Sequence, residues 1–199
     1  KIAGRYRVSK DIARQDYQDF IEKIETLIST PDLDPVSFLD FERAAPHSAD
    51  LSSPLRLDCA LTYRLREDSN AEYAPTKRVK SELTADEWRT ILDKAWQAGI
   101  PHITFTGGEA TLRDDLPDLI AHAEKNGQVC GLLTDGLRLI EEGYLDQLLQ
   151  TGLDHVLFLL QPRNEKSWLA LEKAMAADIF VTVHLTLNQD NIRNAEEVL

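Results

Sequence analysis

From residue 55 onward, short apolar runs alternate with amphipathic stretches, and this alternation leaves the chain few folds to choose from. Residues 55–63 read as a strand. Residues 84–98 read as a helix: Thr84 can cap it, Glu87 completes a capping box, and Gly99 stops it. The pattern repeats with strands over 102–106, 128–134, 155–160 and 180–185. Helices are predicted over 113–125, 139–150 and 165–176, and another begins at 191. These are five strand–helix units, about 25 to 30 residues each after a longer first one, a pattern that implies a parallel sheet with right-handed crossovers. The strands read as nearly continuous apolar runs, which predicts a sheet covered on both faces. A closed barrel needs eight such units. Five predict an α/β fold that is either a partial (β/α) barrel of parallel strands or an open sheet. The last helical pattern runs to Leu199 without a cap, so the natural protein is expected to continue.

The first 54 residues follow another rule. Ser9 is a plausible N-cap for a helix, with Asp11 in its first turn. Ile12, Tyr17, Phe20, Ile21, Ile24, Leu27 and Ile28 mostly keep helical spacing, and Pro31 ends the pattern. Pro31, Pro35, Pro46 and Pro54 then mark a linker, with one short helical turn near 36–43. The expected division is therefore 1–54, a helix with a Pro-rich linker, and 55–199, the strand–helix domain. The chain opens at Lys1, so the native start is expected to lie upstream.

Net charge is −12, which argues against nucleic acid or an anionic membrane as a general partner. No apolar run approaches the roughly 20 residues that span a bilayer, and no secretory signal is visible. The only cysteines, Cys59 and Cys130, both fall in strand-like apolar runs. They read as buried free thiols in a reducing compartment, and a cytoplasmic location is expected.

In parallel sheets of this kind ligands sit at the carboxyl ends of the strands. The first strand is followed by Thr62-Tyr63-Arg64 and a long segment carrying a basic cluster, Lys77, Arg78 and Lys80. That cluster reads either as a solvated loop or as a contact for an acidic partner or a phosphate. The second strand ends in Thr106-Gly107-Gly108-Glu109, where two glycines allow a sharp bend and close backbone approach. The third ends in Thr134-Asp135-Gly136, a turn whose carboxylate can accept a hydroxyl or ammonium hydrogen bond. The fourth ends in Gln161-Pro162-Arg163-Asn164, with Gln161 and Arg163 placed to face a cavity. The fifth carries His184, which reads as a core residue between Val183 and Leu185, and ends near Asn188. Glu72, Glu109, Asp135 and His184 could gather as a hard-metal site only if the fold brought them together. No G-x-S-x-G, Walker loop or H-E-x-x-H occurs.

The frame of Thr-Tyr-Arg, then Gly-Gly-Glu about 43 residues later, then Thr-Asp-Gly, resembles the radical S-adenosylmethionine (SAM) superfamily over roughly residues 55 to 190. The resemblance implies a partial barrel whose first loop carries Cys-x3-Cys-x2-Cys around a four-iron, four-sulfur cluster. Laid on this chain, the three cysteine positions are Leu65, Ser69 and Glu72, none of which is a thiolate. Such a cluster needs soft sulfur ligands, so it is not expected here. Thr62, Arg64 and Tyr73 fit the family's surroundings of that loop. The resemblance implies SAM contacts from Gly107, Gly108 and Glu109, with Glu109 near the SAM ammonium group, and from Asp135 where the family often has Asn. Ala110 stands where the family commonly has Pro. The leading helix and linker look like the front of members that modify peptides. The resemblance therefore implies a degenerate member, a pseudoenzyme acting as partner of an active enzyme or of its peptide substrate. The alternatives are an enzyme using the SAM pocket for another small molecule or metal, and an active radical SAM enzyme with unusual cluster ligands.

Overall fold

The computed structural model describes residues 3–4, 8–39, 51, 53–66, 79–187 and 192. The chain divides into two compact units, Lys1–Asp50 and Leu51–Leu199. In the first, helix α1 spans Lys10–Ser29. The Ser9 side chain accepts the Ile12 N–H at its start, as the capping pattern predicts. None of the α1 residues is buried. A one-turn helix α2, Pro35–Phe38, has Asp34 as its N-cap, so the expected turn sits slightly early; residues 40–50 lie outside the described set.

The second unit is a parallel five-stranded sheet in the order β1-β2-β3-β4-β5, the strands following one another in sequence. The strands are β1 Arg56–Thr62, β2 His102–Gly107, β3 Val129–Thr134, β4 His155–Leu159 and β5 Phe180–His184. The connecting helices are α3 Ala85–Ala98, α4 Leu116–Asn126, α5 Tyr144–Gln150 and α6 Glu165–Met175. This sequential parallel order is that of a partial (β/α) barrel. The helix expected from 191 lies, Ile192 apart, outside the described residues.

The α3 capping box is present in full, and Gly99 closes the helix in a left-handed conformation at φ 93°. Two helix starts differ from the sequence pattern. Residues 110–112 form a short 3-10 turn and α4 begins only at Leu116, because Pro117 lacks the N–H a helix interior needs and fits only the first turn; Asp115 stands at the N-cap position with its carboxylate held by Arg113. The expected helix over 139–150 begins at Tyr144, since Gly143 takes φ 72° and a left-handed residue breaks the helical run.

One face of the sheet packs under the helices. Cys59, Leu61, Ile103, Phe105, Cys130, Leu132, Val156 and Phe158 meet Trp88, Leu92, Leu116, Leu119, Ile120 and Leu148 in one core. Truncating Phe105 there costs about 3–5 kcal/mol, as for any fully buried phenylalanine. The opposite face is not apolar throughout, which corrects the expectation of a sheet covered on both faces. In β1, Arg56, Asp58 and Ala60 are exposed while Cys59 and Leu61 are buried, an alternation of one-sided burial. β5 is an edge strand with Phe180, Thr182, Val183 and His184 exposed, so His184 is not a core residue.

Candidate functional site

The carboxyl ends of β1, β2 and β3 are tied together at the Gly-Gly-Glu segment. A bulge between Ala60 and Thr62 shifts the β1–β2 register, so that Thr62 comes opposite Gly107. Beyond it, the Gly108 N–H donates to the Thr62 carbonyl at 2.7 Å and the Glu109 N–H to the Arg64 carbonyl at 2.8 Å. Both glycines are needed for this approach. A Cβ on Gly107, whose φ is 134°, would stand 2.3 Å from the Thr62 carbonyl oxygen. A Cβ on Gly108 would stand 2.1 Å from that of Arg64. Here the freedom of glycine serves backbone against backbone.

Glu109 is fully buried. Its Oε1 accepts from the Thr111 N–H at 2.9 Å, the Thr111 hydroxyl at 2.6 Å and the Thr134 hydroxyl at 2.8 Å. Its Oε2 accepts from the Asp135 N–H at 2.8 Å. The carboxyl group thus joins the end of β2 to the end of β3. Burial, with the Asp135 charge adding to it, pushes its pKa up to about 7, against the pull of hydrogen bonds from Thr111 and Asp135. Asp135 is buried as well, and its Oδ1 accepts from the Leu137 N–H at 3.0 Å.

A second network, which sequence reasoning missed, holds the chain on either side of the long loop. Glu82 accepts from the Thr62 hydroxyl at 2.9 Å and the Tyr63 N–H at 2.7 Å. Desolvation raises the Glu82 pKa, but these bonds and the Arg64 and Arg113 charges outweigh it and leave the carboxyl below its ordinary range. The buried Arg113 donates to the carbonyls of Leu61 and Leu83 and forms a two-pronged pair with Asp115 at 2.8 and 2.5 Å. Arg64 reaches the Leu112 carbonyl at 2.6 Å. Arg138 donates to the Thr111 carbonyl and lies 4.3 Å from the centre of the Tyr144 ring. The one sequence signal for Arg113 is its place four residues after Gly-Gly-Glu, where the pattern predicts the opening of a helix.

The structure therefore brings together Gly107, Gly108, Glu109 and Asp135. His184 lies on β5, at the far edge of the sheet from β1. Leu65 is half-buried beside this site, and Lys80 is exposed. Ser69, Glu72, Tyr73, Lys77, Arg78 and Asn188 lie outside the described residues. Gln161 is half-buried with its amide nitrogen unpartnered, and Arg163 is exposed. Among the described residues no group of three or more His, Cys, Asp or Glu side chains gathers with metal-binding geometry. Cys59 and Cys130 are free and buried in the core, and burial pushes both thiols up to about 12. No helix among the described residues is long and apolar enough to cross a membrane.

The sequence profile of the Radical SAM superfamily matches residues 59–198. The chain belongs to the radical SAM superfamily. Among relatives, the PqqA peptide cyclase of Streptomyces rochei is 34% identical over 128 residues, which cover 58% of this chain and 35% of that protein. The PqqA peptide cyclase of Xanthomonas oryzae pv. oryzae is 40% identical over 83 residues, 42% of this chain and 22% of that one. The matched segment thus spans about a third or less of these relatives' length. Of solved structures, native anSMEcpe with bound AdoMet and Kp18Cys peptide superposes with a TM-score of 0.60 at 15% identity, covering 73% of this chain and 47% of that one. Streptococcus suis SuiB bound to its precursor peptide SuiA gives 0.56 at 18% identity, covering 94% and 50%. These structures share the fold with this chain.

Proposed function

We propose that this chain is a radical SAM fold that has lost its iron–sulfur chemistry and serves as a binding or regulatory partner in peptide modification. The observation that carries the reading is the donor set. The family's three cluster positions fall on Leu65, Ser69 and Glu72, a hydrocarbon, a neutral hydroxyl and a hard carboxylate. The chain's two thiols, Cys59 and Cys130, sit on different strands inside the core, where burial pushes both up to about 12. A cluster requires thiolates within reach of one another, so these residues do not fit it. Radical generation from SAM depends on that cluster, and fold alone does not replace it.

For SAM the resemblance points to four residues, all of them buried, so that their backbone alone is left to meet it. Gly107, Gly108, Glu109 and Asp135 form one ridge at the carboxyl ends of the strands, where ligands of such sheets bind. In our reading Glu109 is a positioning residue: its carboxyl holds Thr111, Thr134 and Asp135 in place, and the ridge's backbone meets the ligand. A peptide partner is favoured because the relatives are peptide cyclases and SuiB is seen with a precursor peptide.

A second reading, an active radical SAM enzyme with other cluster ligands, is favoured by the family match over 59–198 and by those relatives. One assay separates the two. After anaerobic incubation with iron and sulfide, then SAM and a strong reductant, the protein is expected to release no 5′-deoxyadenosine. Turnover of SAM to that product would establish the second reading. Calorimetry with SAM tests the ridge separately: saturable heat is expected, and its absence would remove Gly107, Gly108, Glu109 and Asp135 from a cofactor role.

A further inference from the structure

The amino-terminal end of the sheet, opposite the ridge, carries a second cluster of chemistry-bearing side chains. His102 opens β2 and His155 opens β4, with β3 running between them. Their Nε2 atoms are 3.2 Å apart, and the rings meet edge to face with centroids 4.8 Å apart. Gly131 of β3 makes this possible: a Cβ there would lie 2.2 Å from His155 Nε2. Two strands away from each other, the histidines meet only because the middle strand carries no side chain at that point.

Thr104 follows His102 by two residues, so it shares the same face of β2, and it is in register with Gly131. Its hydroxyl is buried, with the residue 4% exposed, and has no hydrogen-bond partner. A buried unpaired hydroxyl beside two imidazoles calls for a ligand or a bound water. The charged groups around the pair are Arg56 and Asp58 of β1, joined by an ion pair at 2.9 Å, and Asp154 just before β4. Burial lowers both imidazole pKa values. The Arg56 charge adds to this at His102 and the His102 charge at His155, while Asp58 and Asp154 oppose it. Burial thus favours the neutral form of both rings, the form that binds metal.

We propose that His102 and His155 form a binding site for a divalent transition metal, with Thr104 holding one of the waters that complete its coordination. Two Zn–N bonds of about 2.0–2.1 Å at a tetrahedral angle place the nitrogens about 3.3 Å apart, which the observed spacing already matches. Imidazole is a ligand suited to zinc, copper and nickel. Metal entry replaces the hydrogen bond between the two Nε2 atoms. The ring that carries its hydrogen on Nε2 shifts it to Nδ1, and both Nε2 lone pairs then turn to the metal with no net release of a proton. Asp58 neutralises Arg56 and so lowers the repulsion that an incoming cation meets.

The test uses the full chain, freed of metal by a chelator and titrated with Zn2+ by calorimetry and with Co2+ by visible absorbance. One saturable equivalent is expected, its heat independent of the buffer's ionisation enthalpy. His102→Gln and His155→Gln should each weaken binding at least tenfold. Gly131→Ala, which pushes the His155 ring aside while leaving both histidines in the chain, should weaken it comparably. His122→Gln, paired with Asp93 elsewhere in the fold, should change nothing. Circular dichroism on each variant confirms that it is folded; the half-buried histidines carry the test if the glycine variant is not. No saturable Zn2+ binding would overturn the proposal and leave a plain hydrogen-bonded pair. Binding undiminished in the His102→Gln/His155→Gln double variant would overturn it too, as binding elsewhere on an acidic chain.

Discussion

Glu109→Gln should change how the stability of this protein depends on pH. The Glu109 carboxyl is fully buried, and its pKa stands at about 7 against an ordinary value of 4.5. A carboxyl with a raised folded pKa binds more protons in the folded state than in the unfolded one. Its contribution to stability is therefore greatest at low pH and is lost as pH rises from 4.5 towards 7. Integrating that difference from pH 5 to pH 8 gives a loss of about 2 to 3 kcal/mol. Glutamine keeps the shape and cannot titrate. It leaves the three donors at the Oε1 position with an oxygen to bond and sets its amide against the Asp135 N–H, at a cost of about 1–3 kcal/mol at every pH. The variant should thus be clearly less stable than the parent at pH 5 and close to it or more stable at pH 8. Urea unfolding of both proteins across that range measures the difference directly, and carboxyls common to both cancel. A difference that stays constant with pH would refute the reasoning, because it would mean that Glu109 ionises in the folded protein as it does in water.

Gly108→Ala should destabilise the fold by about 3 kcal/mol, the upper end of overpacking, because the obstacle is the Arg64 backbone carbonyl at 2.1 Å; denaturant unfolding reads it. Cys59 and Cys130 should resist alkylation in the native protein at pH 8 and react only on unfolding, since both are buried with thiols near 12; mass spectrometry of the labelled chain checks this. Arg113→Ala should cost about 2–4 kcal/mol by leaving the Leu61 and Leu83 carbonyls and Asp115 without their partner, and should speed proteolysis of the chain after β1.

The architecture was legible because its signals are local. The capping box of Thr84 and Glu87, the N-cap at Ser9 and the apolar runs of β2 to β4 each announce themselves within a few residues. What the pattern could not show was set by tertiary partners. The Asp115 carboxylate answers Arg113 instead of capping α4, whose start at Leu116 is fixed by Pro117 in its first turn. β5 reads as apolar yet lies exposed at the sheet edge, since periodicity records side-chain polarity and not which strand sits outermost. The glycines of Gly-Gly-Glu signalled a close approach, but sequence could not say that Thr62 and Arg64 are what they approach. Glu109 ends β2 in a recognisable motif, but its four donors come from three later residues that only the fold assembles. The histidine pair was invisible for the same reason, its members standing 53 positions apart in the chain.

The most direct measurement counts iron and acid-labile sulfide per chain after anaerobic reconstitution, in the native protein and in a Leu65→Cys/Ser69→Cys/Glu72→Cys variant side by side. The native chain is predicted to retain no bound iron sulfide, while the variant gains about four irons through the restored thiolates. Stoichiometric iron and sulfide in the native chain, equal to that of the variant, would contradict the account.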